Sequence, residues 1–186
     1  MHRLPGIILR GSLRSHLRMT PGLGSCYPHI MPAPVLPLIE AAQLLPPRGT
    51  LLGLDLGSKT IGVAASDPDR RLAAAVETIA RTKFTADAAR LLKLATERGA
   101  VGFVLGLPLN MDGSEGPAAQ SARAFARNLA ARTELPIALW DERLSTAAVE
   151  RELIAQDASR KKRAAVIDQH AAVFILQGAL DRLARG

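Results

Sequence analysis

Leu51-Leu52-Gly53-Leu54-Asp55-Leu56-Gly57-Ser58-Lys59-Thr60-Ile61-Gly62-Val63-Ala64 decides how this chain is read. Residues 51–56 and 60–66 are short apolar runs joined by Gly57-Ser58-Lys59, the pattern of a β-hairpin. Asp55 breaks it. A buried, unpaired carboxylate costs on the order of several kcal/mol, so its surroundings should supply a cation or a compensating hydrogen-bond network. Strand alternation puts Asp55 on the side of Leu51 and Gly53, with Leu52, Leu54 and Leu56 on the other. Gly53 and Gly57 leave room beside it for a ligand or another backbone. The plain alternative is that Asp55 caps the following turn through Ser58 or Lys59.

Outward from the hairpin, Asp67-Pro68-Asp69 reads as a turn and residues 72–79 as a third antiparallel strand. Ala88, Leu91, Leu92 and Ala95 recur at helical spacing within 84–98, and Gly99 ends that helix. A buried strand at 101–105 leads into a loop from Gly106 to Gly113. An Ala-rich helix at 117–132, a strand at 136–140, a helix at 145–156 and a last helix from about 164 to 183 complete the chain. The order βββαβαβα with closing helices predicts an α/β domain with a mixed five-stranded sheet flanked by helices.

Residues 1–48 read differently. They hold eight prolines among Gly, Ser and Arg with no sustained period, so the expected division is an extension at 1–48 and a folded domain at 49–186. Within the extension only residues 36–45 suggest a short helix. The Arg-rich, acid-free start resembles a transit peptide in composition, or translated sequence upstream of a start at Met31. Its four arginines carry +4 of the formal net charge of +7, which leaves a modestly basic body that permits phosphate binding without requiring it. The single cysteine, Cys26, excludes an intramolecular disulfide and a multi-cysteine zinc site and fits a reducing compartment such as the cytoplasm. No apolar stretch reaches the ~20 residues of a membrane span, so the protein should be soluble, with no membrane partner.

Two further acidic positions join Asp55. Asp141 and Glu142 close a predicted strand, the end of an α/β sheet that commonly carries ligands, and they face opposite ways. One should work at the site while the other supports it. The plain reading has both acids complementing a helix capped by Ser145 or Thr146. Asp168 shares a helical face with Ala171, Ala172 and Ile175, the side meant for the core, whereas His170 falls elsewhere. Upstream, Ser159-Arg160-Lys161-Lys162-Arg163 is a basic run, usually a solvated loop but well placed for phosphates beside an acidic pocket. Three carboxylates without a Cys–His cluster favour hard, oxygen-bound ions, Mg²⁺ or Mn²⁺ rather than zinc. Two such ions about 3.5–4 Å apart activate water and stabilise a leaving oxygen in phosphodiester hydrolysis.

Taken together, four ordered motifs closely resemble the YqgF-type, Holliday-junction-resolvase-like nuclease family over residues 50–183. They are Leu54-Asp55-Leu56-Gly57-Ser58-Lys59-Thr60, Gly106-Leu107-Pro108-Leu109-Asn110-Met111-Asp112-Gly113, Asp141-Glu142-Arg143-Leu144-Ser145-Thr146 and Asp168-Gln169-His170-Ala171-Ala172. The resemblance implies a ribonuclease H-like fold and 5′-end processing of precursor 16S ribosomal RNA in the bacterial cytoplasm. Resolution of four-way DNA junctions is the older suggestion for the family. Carried over by position, the family's acidic triad, catalytic and metal-binding, falls on Asp55, Glu142 and Asp168, which selects Glu142 over Asp141. Lys59, Asn110 and Arg143 lie in matching motifs and are assigned to substrate positioning, as Asp112 is to site support; Lys161 and Lys162 of the basic run are assigned to backbone contacts. Asn110 and Asp112 are equally natural turn formers beside Gly113.

Three other readings compete. Asp55-Leu56-Gly57-Ser58-Lys59-Thr60 also looks like the first phosphate loop of actin-like ATPases, but those close two domains around ATP, and no second phosphate loop is present. A non-catalytic RNA-binding ribosome-assembly factor, with ribosomal proteins or pre-ribosomes as partners, is set against the intact acidic set. Branched DNA as substrate favours a two-fold homodimer, whereas RNA processing is open to a monomer.

Overall fold

A computed structural model describes residues 32–144 and 160–185, with Leu144 and residues 160–170 given by their backbone alone. In chain order the elements are β1 (Val35–Pro37), α1 (Leu38–Ala42), β2 (Thr50–Leu56), β3 (Thr60–Ser66), β4 (Ala73–Ala80) and α2 (Phe84–Glu97). They continue with β5 (Ala100–Leu107), α3 (Pro117–Ala130), β6 (Ile137–Asp141), a 3₁₀ turn (Glu142–Leu144) and α4 (Arg160–Ala184). The helix expected at 145–156 and residues 1–31 lie outside the described residues.

The strands form one sheet in the order β1-β6-β5-β2-β3-β4. β2, β3 and β4 pair antiparallel as the hairpin reading requires, while β5 lies parallel to β2, and β6 parallel to β5. The five strands β6-β5-β2-β3-β4 make the mixed sheet expected from the sequence. β2 is its central strand and is covered on both faces, so its residues 50–54 are all buried.

Alternation along β2 sorts the core into two layers. Leu52 and Leu54, with Ile61, Val63, Phe103 and Leu105, meet Leu91, Leu94, Phe125 and Leu129 of α2 and α3. On the opposite face Leu51, Val104, Ala138 and Trp140 meet Ala172, Ile175, Leu176, Ala179 and Leu180 of α4, with Leu38 and Ala41 of α1. The α4 residues recur at i, i+3/i+4 and i+7/i+8, a single apolar stripe. A Cβ at Gly53 would lie 2.6 Å from Leu176 Cβ and 3.0 Å from the Ala172 carbonyl oxygen, so only glycine lets α4 approach this closely.

At two points the sheet differs from the expectation. The sheet has a sixth strand, because β1 pairs parallel with β6, Val35 opposite Ile137 and Pro37 opposite Leu139. Residues ahead of position 48 therefore join the sheet. Ala33, Leu38 and Ala41 are core residues, and Arg70 ties the following segment down by donating from Nε to the Gly49 carbonyl (3.0 Å) and from Nη2 to the Pro46 carbonyl (2.7 Å). A strand of three residues ending in proline tolerates the missing N–H because it forms the sheet's edge. In addition, β5 runs through Gly106 to Leu107, where the sequence suggested a loop.

Candidate active site

Asp55 is next to last on β2, half-buried where its predecessors are fully buried. Its antiparallel neighbour on β3 is Gly62. On the other side Leu54 pairs with Leu105, so one further step of the parallel register sets Asp55 opposite Gly106. Glycine thus flanks the carboxylate on both neighbouring strands, so neither strand sets a side chain of its own beside it.

Glu142 takes the place such a side chain would fill at Gly106. A Cβ at Gly106 would fall on Glu142 Oε1 and lie 2.6 Å from Ile175 Cδ1, so the carboxylate lies directly over the glycine. With neighbouring strands about 4.8 Å apart, Asp55 and Glu142 share one patch at the C-terminal rim of the sheet. The direction is set by parity along β6. Ile137 and Leu139 face α2 and α3, and Ala138 and Trp140 face α4, so Asp141, the last strand residue, falls on the α2 and α3 side, while Glu142 in the following 3₁₀ turn lies over Gly106. Both Asp55 and Glu142 make interactions within the protein.

Asp141 is committed elsewhere. It accepts from the Arg143 backbone N–H at 3.0 Å, from Nε at 3.0 and 3.2 Å and from Nη2 at 2.7 Å. The side-chain hydrogen bonds from Arg143 come first among the causes that hold Asp141 below the ordinary carboxylate range, against the opposing effect of burial. The pair closes the 3₁₀ turn that carries Glu142. Arg143 also overlies Gly113, with Nη1 3.3 Å from where a Cβ would stand, and Gly113 has φ +86°, which favours glycine.

The 108–116 loop is fixed from within. Asn110 Nδ2 donates to Ser114 Oγ at 2.8 Å, and Asp112 Oδ1 accepts from Ser114 N and Oγ at 2.9 and 2.6 Å. Hydrogen bonds from Ser114 hold Asp112 below its usual pKa, with a smaller contribution from the Arg143 charge. Asn110 and Asp112 thus behave as turn formers, and Arg143 as a clamp between Asp141 and the loop. Lys59 stands exposed on the β2–β3 turn.

Asp168 lies on α4 one turn before Ala172. Gln177, farther along α4, accepts from Ala73 N (2.9 Å) and donates to Arg71 O (3.0 Å), beside the start of β2, so α4 runs antiparallel to β2. The turn bearing Asp168 therefore lies toward the end of β2 where Asp55 sits. The side chains of Asp168, Lys161 and Lys162 lie outside the described residues. Among the described residues no group of three His, Cys, Asp or Glu side chains could hold a metal ion.

Sequence reasoning passed over Gly62, Gly106 and Arg81. The first two are cross-strand neighbours, visible only once the register is known. Arg81 Nη1 donates to the Gly57 carbonyl at 2.6 Å, two residues beyond Asp55, and nothing in its local sequence marks it.

The model of the RuvX family, described as Holliday junction resolvase, matches residues 49–182. A protein of Rhodopseudomonas palustris strain TIE-1 named "Putative pre-16S rRNA nuclease" is 81% identical over 154 residues, 83% of this chain and 96% of the relative. A Bradyrhizobium protein of the same name is 77% identical over 154 residues, again 83% of this chain and 96% of its own length. Among solved structures, Thermus thermophilus RuvC in complex with a Holliday junction substrate aligns at a TM-score of 0.46 and 12% identity, covering 73% of this chain and 96% of that one.

Proposed function

The chain belongs to the RuvX family of Holliday junction resolvases, and on that footing we propose that it matures the 5′ end of precursor 16S ribosomal RNA in the cytoplasm by metal-dependent hydrolysis of phosphodiester bonds. Membership makes it a nuclease acting on nucleic acid. The choice of precursor RNA is supported by the name of the relative that is 81% identical over 154 residues. The observation that carries the chemistry is the placement of the Glu142 carboxylate over Gly106, on the strand next to Asp55, at the C-terminal rim of the sheet.

This donor set fits Mg²⁺ or Mn²⁺. Its members are carboxylate oxygens, the ligands such hard ions take. Asp55, Glu142 and Asp168 would hold a pair of ions, whose chemistry when bound is to lower the pKa of water and to offset charge on the leaving oxygen. The chain itself fixes the geometry. The central strand sets Asp55, the Asp141–Arg143 clamp sets the turn bearing Glu142, and Lys59 with Lys161 and Lys162 attracts and orients the phosphate backbone. No helix among the described residues is long and apolar enough to cross a membrane.

The family description favours a second reading, four-way DNA junctions, which requires two active sites related by two-fold symmetry and hence a homodimer. Pre-ribosomal particles are the partner to consider for the RNA reading. The test is cleavage of 5′-extended 16S precursor RNA and of a four-way junction, side by side in Mn²⁺ or Mg²⁺. Cleavage of the RNA alone supports maturation, and cleavage of the junction alone overturns it in favour of resolution. Turnover undiminished without a divalent ion contradicts the metal scheme.

A further inference from the structure

At the same rim as the carboxylates, but on the opposite face of the sheet, a cavity of about 190 Å³ opens between the start of α2 and the flank of α3. Arg81, Thr82, Ser121 and Asn128 give it polar walls, over the edge-to-face pair Phe84–Phe125, whose ring centroids are 5.6 Å apart. Ser121 and Asn128 are exposed and lie seven residues apart on α3, on one helical face. Asp87 also lines the cavity. It is 4% exposed, and its oxygens accept from Thr82 N at 3.2 and 3.4 Å and from Thr82 Oγ1 at 3.1 Å, which directs its charge to the entry of α2.

Arg81 is built into place. Its backbone N–H donates to the Lys59 carbonyl at 2.8 Å and its Nη1 to the Gly57 carbonyl at 2.6 Å, so the guanidinium is pinned to the β2–β3 turn. The bond to Gly57 engages one of five guanidinium N–H donors. Among the described residues Arg81 forms no salt bridge, and Lys59 and Lys83 stand exposed nearby on the chain. A planar, pre-positioned fork with free donors, beside neutral hydroxyl and amide groups, matches a phosphodiester oxyanion.

We propose that this cavity is a second phosphate subsite, in which Arg81, assisted by Ser121 and Asn128, takes a backbone phosphodiester of the nucleic-acid strand away from the bond that is cut. Gly57 lies two strand residues past Asp55, roughly 7 Å at strand rise, so the subsite serves a phosphate about one or two nucleotides from the scissile one. The strand crosses the rim over the β2–β3 turn, from the α4 face to the groove between α2 and α3. This inference rests on the nuclease reading for the identity of the strand.

The test is binding of a labelled single-stranded RNA by the full chain in Ca²⁺, across a series of salt concentrations. It compares the parent with Arg81→Ala, Arg81→Lys, Asn128→Asp and, at the opposite end of the sheet, Arg132→Ala. Each lost phosphate contact flattens the slope of log K against log salt by about 0.7 for a single strand. Arg81→Ala is expected to lose that much slope and about tenfold in affinity, Arg81→Lys to keep the slope, and Arg132→Ala to match the parent. Asn128→Asp, on an exposed helix face clear of the Gly57 contact, is expected to weaken binding while melting as the parent does. Inorganic phosphate that competes only at concentrations far above those of the RNA identifies the strand as the ligand. A parental slope in Arg81→Ala together with parental affinity in Asn128→Asp overturns the subsite and leaves the nuclease reading standing. A parent that binds no RNA at any salt overturns both the subsite and the RNA-maturation reading.

Discussion

Gly106→Ala isolates the site from the fold. The added methyl falls on Glu142 Oε1 and 2.6 Å from Ile175 Cδ1, and both obstacles are the ends of flexible side chains. Reaching ordinary contact at 3.4 Å requires the carboxylate to retreat by about 1 Å and the Ile175 methyl by slightly less. The core cost is that of mild overpacking, about 1–2 kcal/mol, or a fall in Tm of roughly 2–4 °C per kcal/mol for a chain of this size. The catalytic cost is larger, because a displacement of about 1 Å at a reacting centre costs on the order of a hundredfold in rate. Steady-state cleavage measured beside thermal melts separates the two effects. A rate within about twofold of the parent, in a variant whose melt shows the methyl is accommodated, refutes the placement of Glu142 at the reacting centre.

Gly53→Ala makes the opposite case: its methyl meets Leu176 Cβ and the Ala172 carbonyl, which cannot swing aside, so it should lower stability by about 2–3 kcal/mol in denaturant titrations. Ser66→Ala removes the acceptor of the Leu51 N–H at 2.9 Å, beside the register shift between β2 and β5. Leaving that buried donor unpaired should cost about 1–3 kcal/mol in the same titrations. Arg143 lowers the pKa of Asp141 in the folded protein, so the clamp contributes fully above the ordinary value of 3.8 and fades as pH falls through the lowered value. The stability gap between the parent and Asp141→Asn should therefore be widest above about pH 4 and close in more acidic solution, as read from unfolding curves at a series of pH values.

The hairpin was legible because two runs of apolar residues and a Gly-Ser-Lys turn leave a chain few alternatives, and alternation along it placed Asp55 on the Gly53 side, which proved to be the α4 side. The first strand was not legible, since Val35-Leu36-Pro37 is too short and too proline-bound to show a period; only pairing with β6 makes it a strand. Gly106 read as a breaker for a local reason, that glycine weakens strands, and is explained by a distant one, the Glu142 side chain lying over it. The preference for Glu142 over Asp141 came from family resemblance, and the position of the Glu142 carboxylate over Gly106 was not readable from local sequence. Asn110 followed the ordinary turn chemistry of its residue type, and Arg81 carried no local signal because its role depends on Gly57, 24 positions earlier.

The central claim is that Asp55 and Glu142 form one reacting site, and the most direct measurement is Mn²⁺-dependent cleavage by Asp55→Asn and Glu142→Gln, with RNA binding and melting followed in parallel. The account predicts that each variant folds and binds RNA yet loses cleavage, and that the double variant is no worse than either single one, as befits groups acting as a unit. Cleavage at the parental rate in either single variant would contradict it.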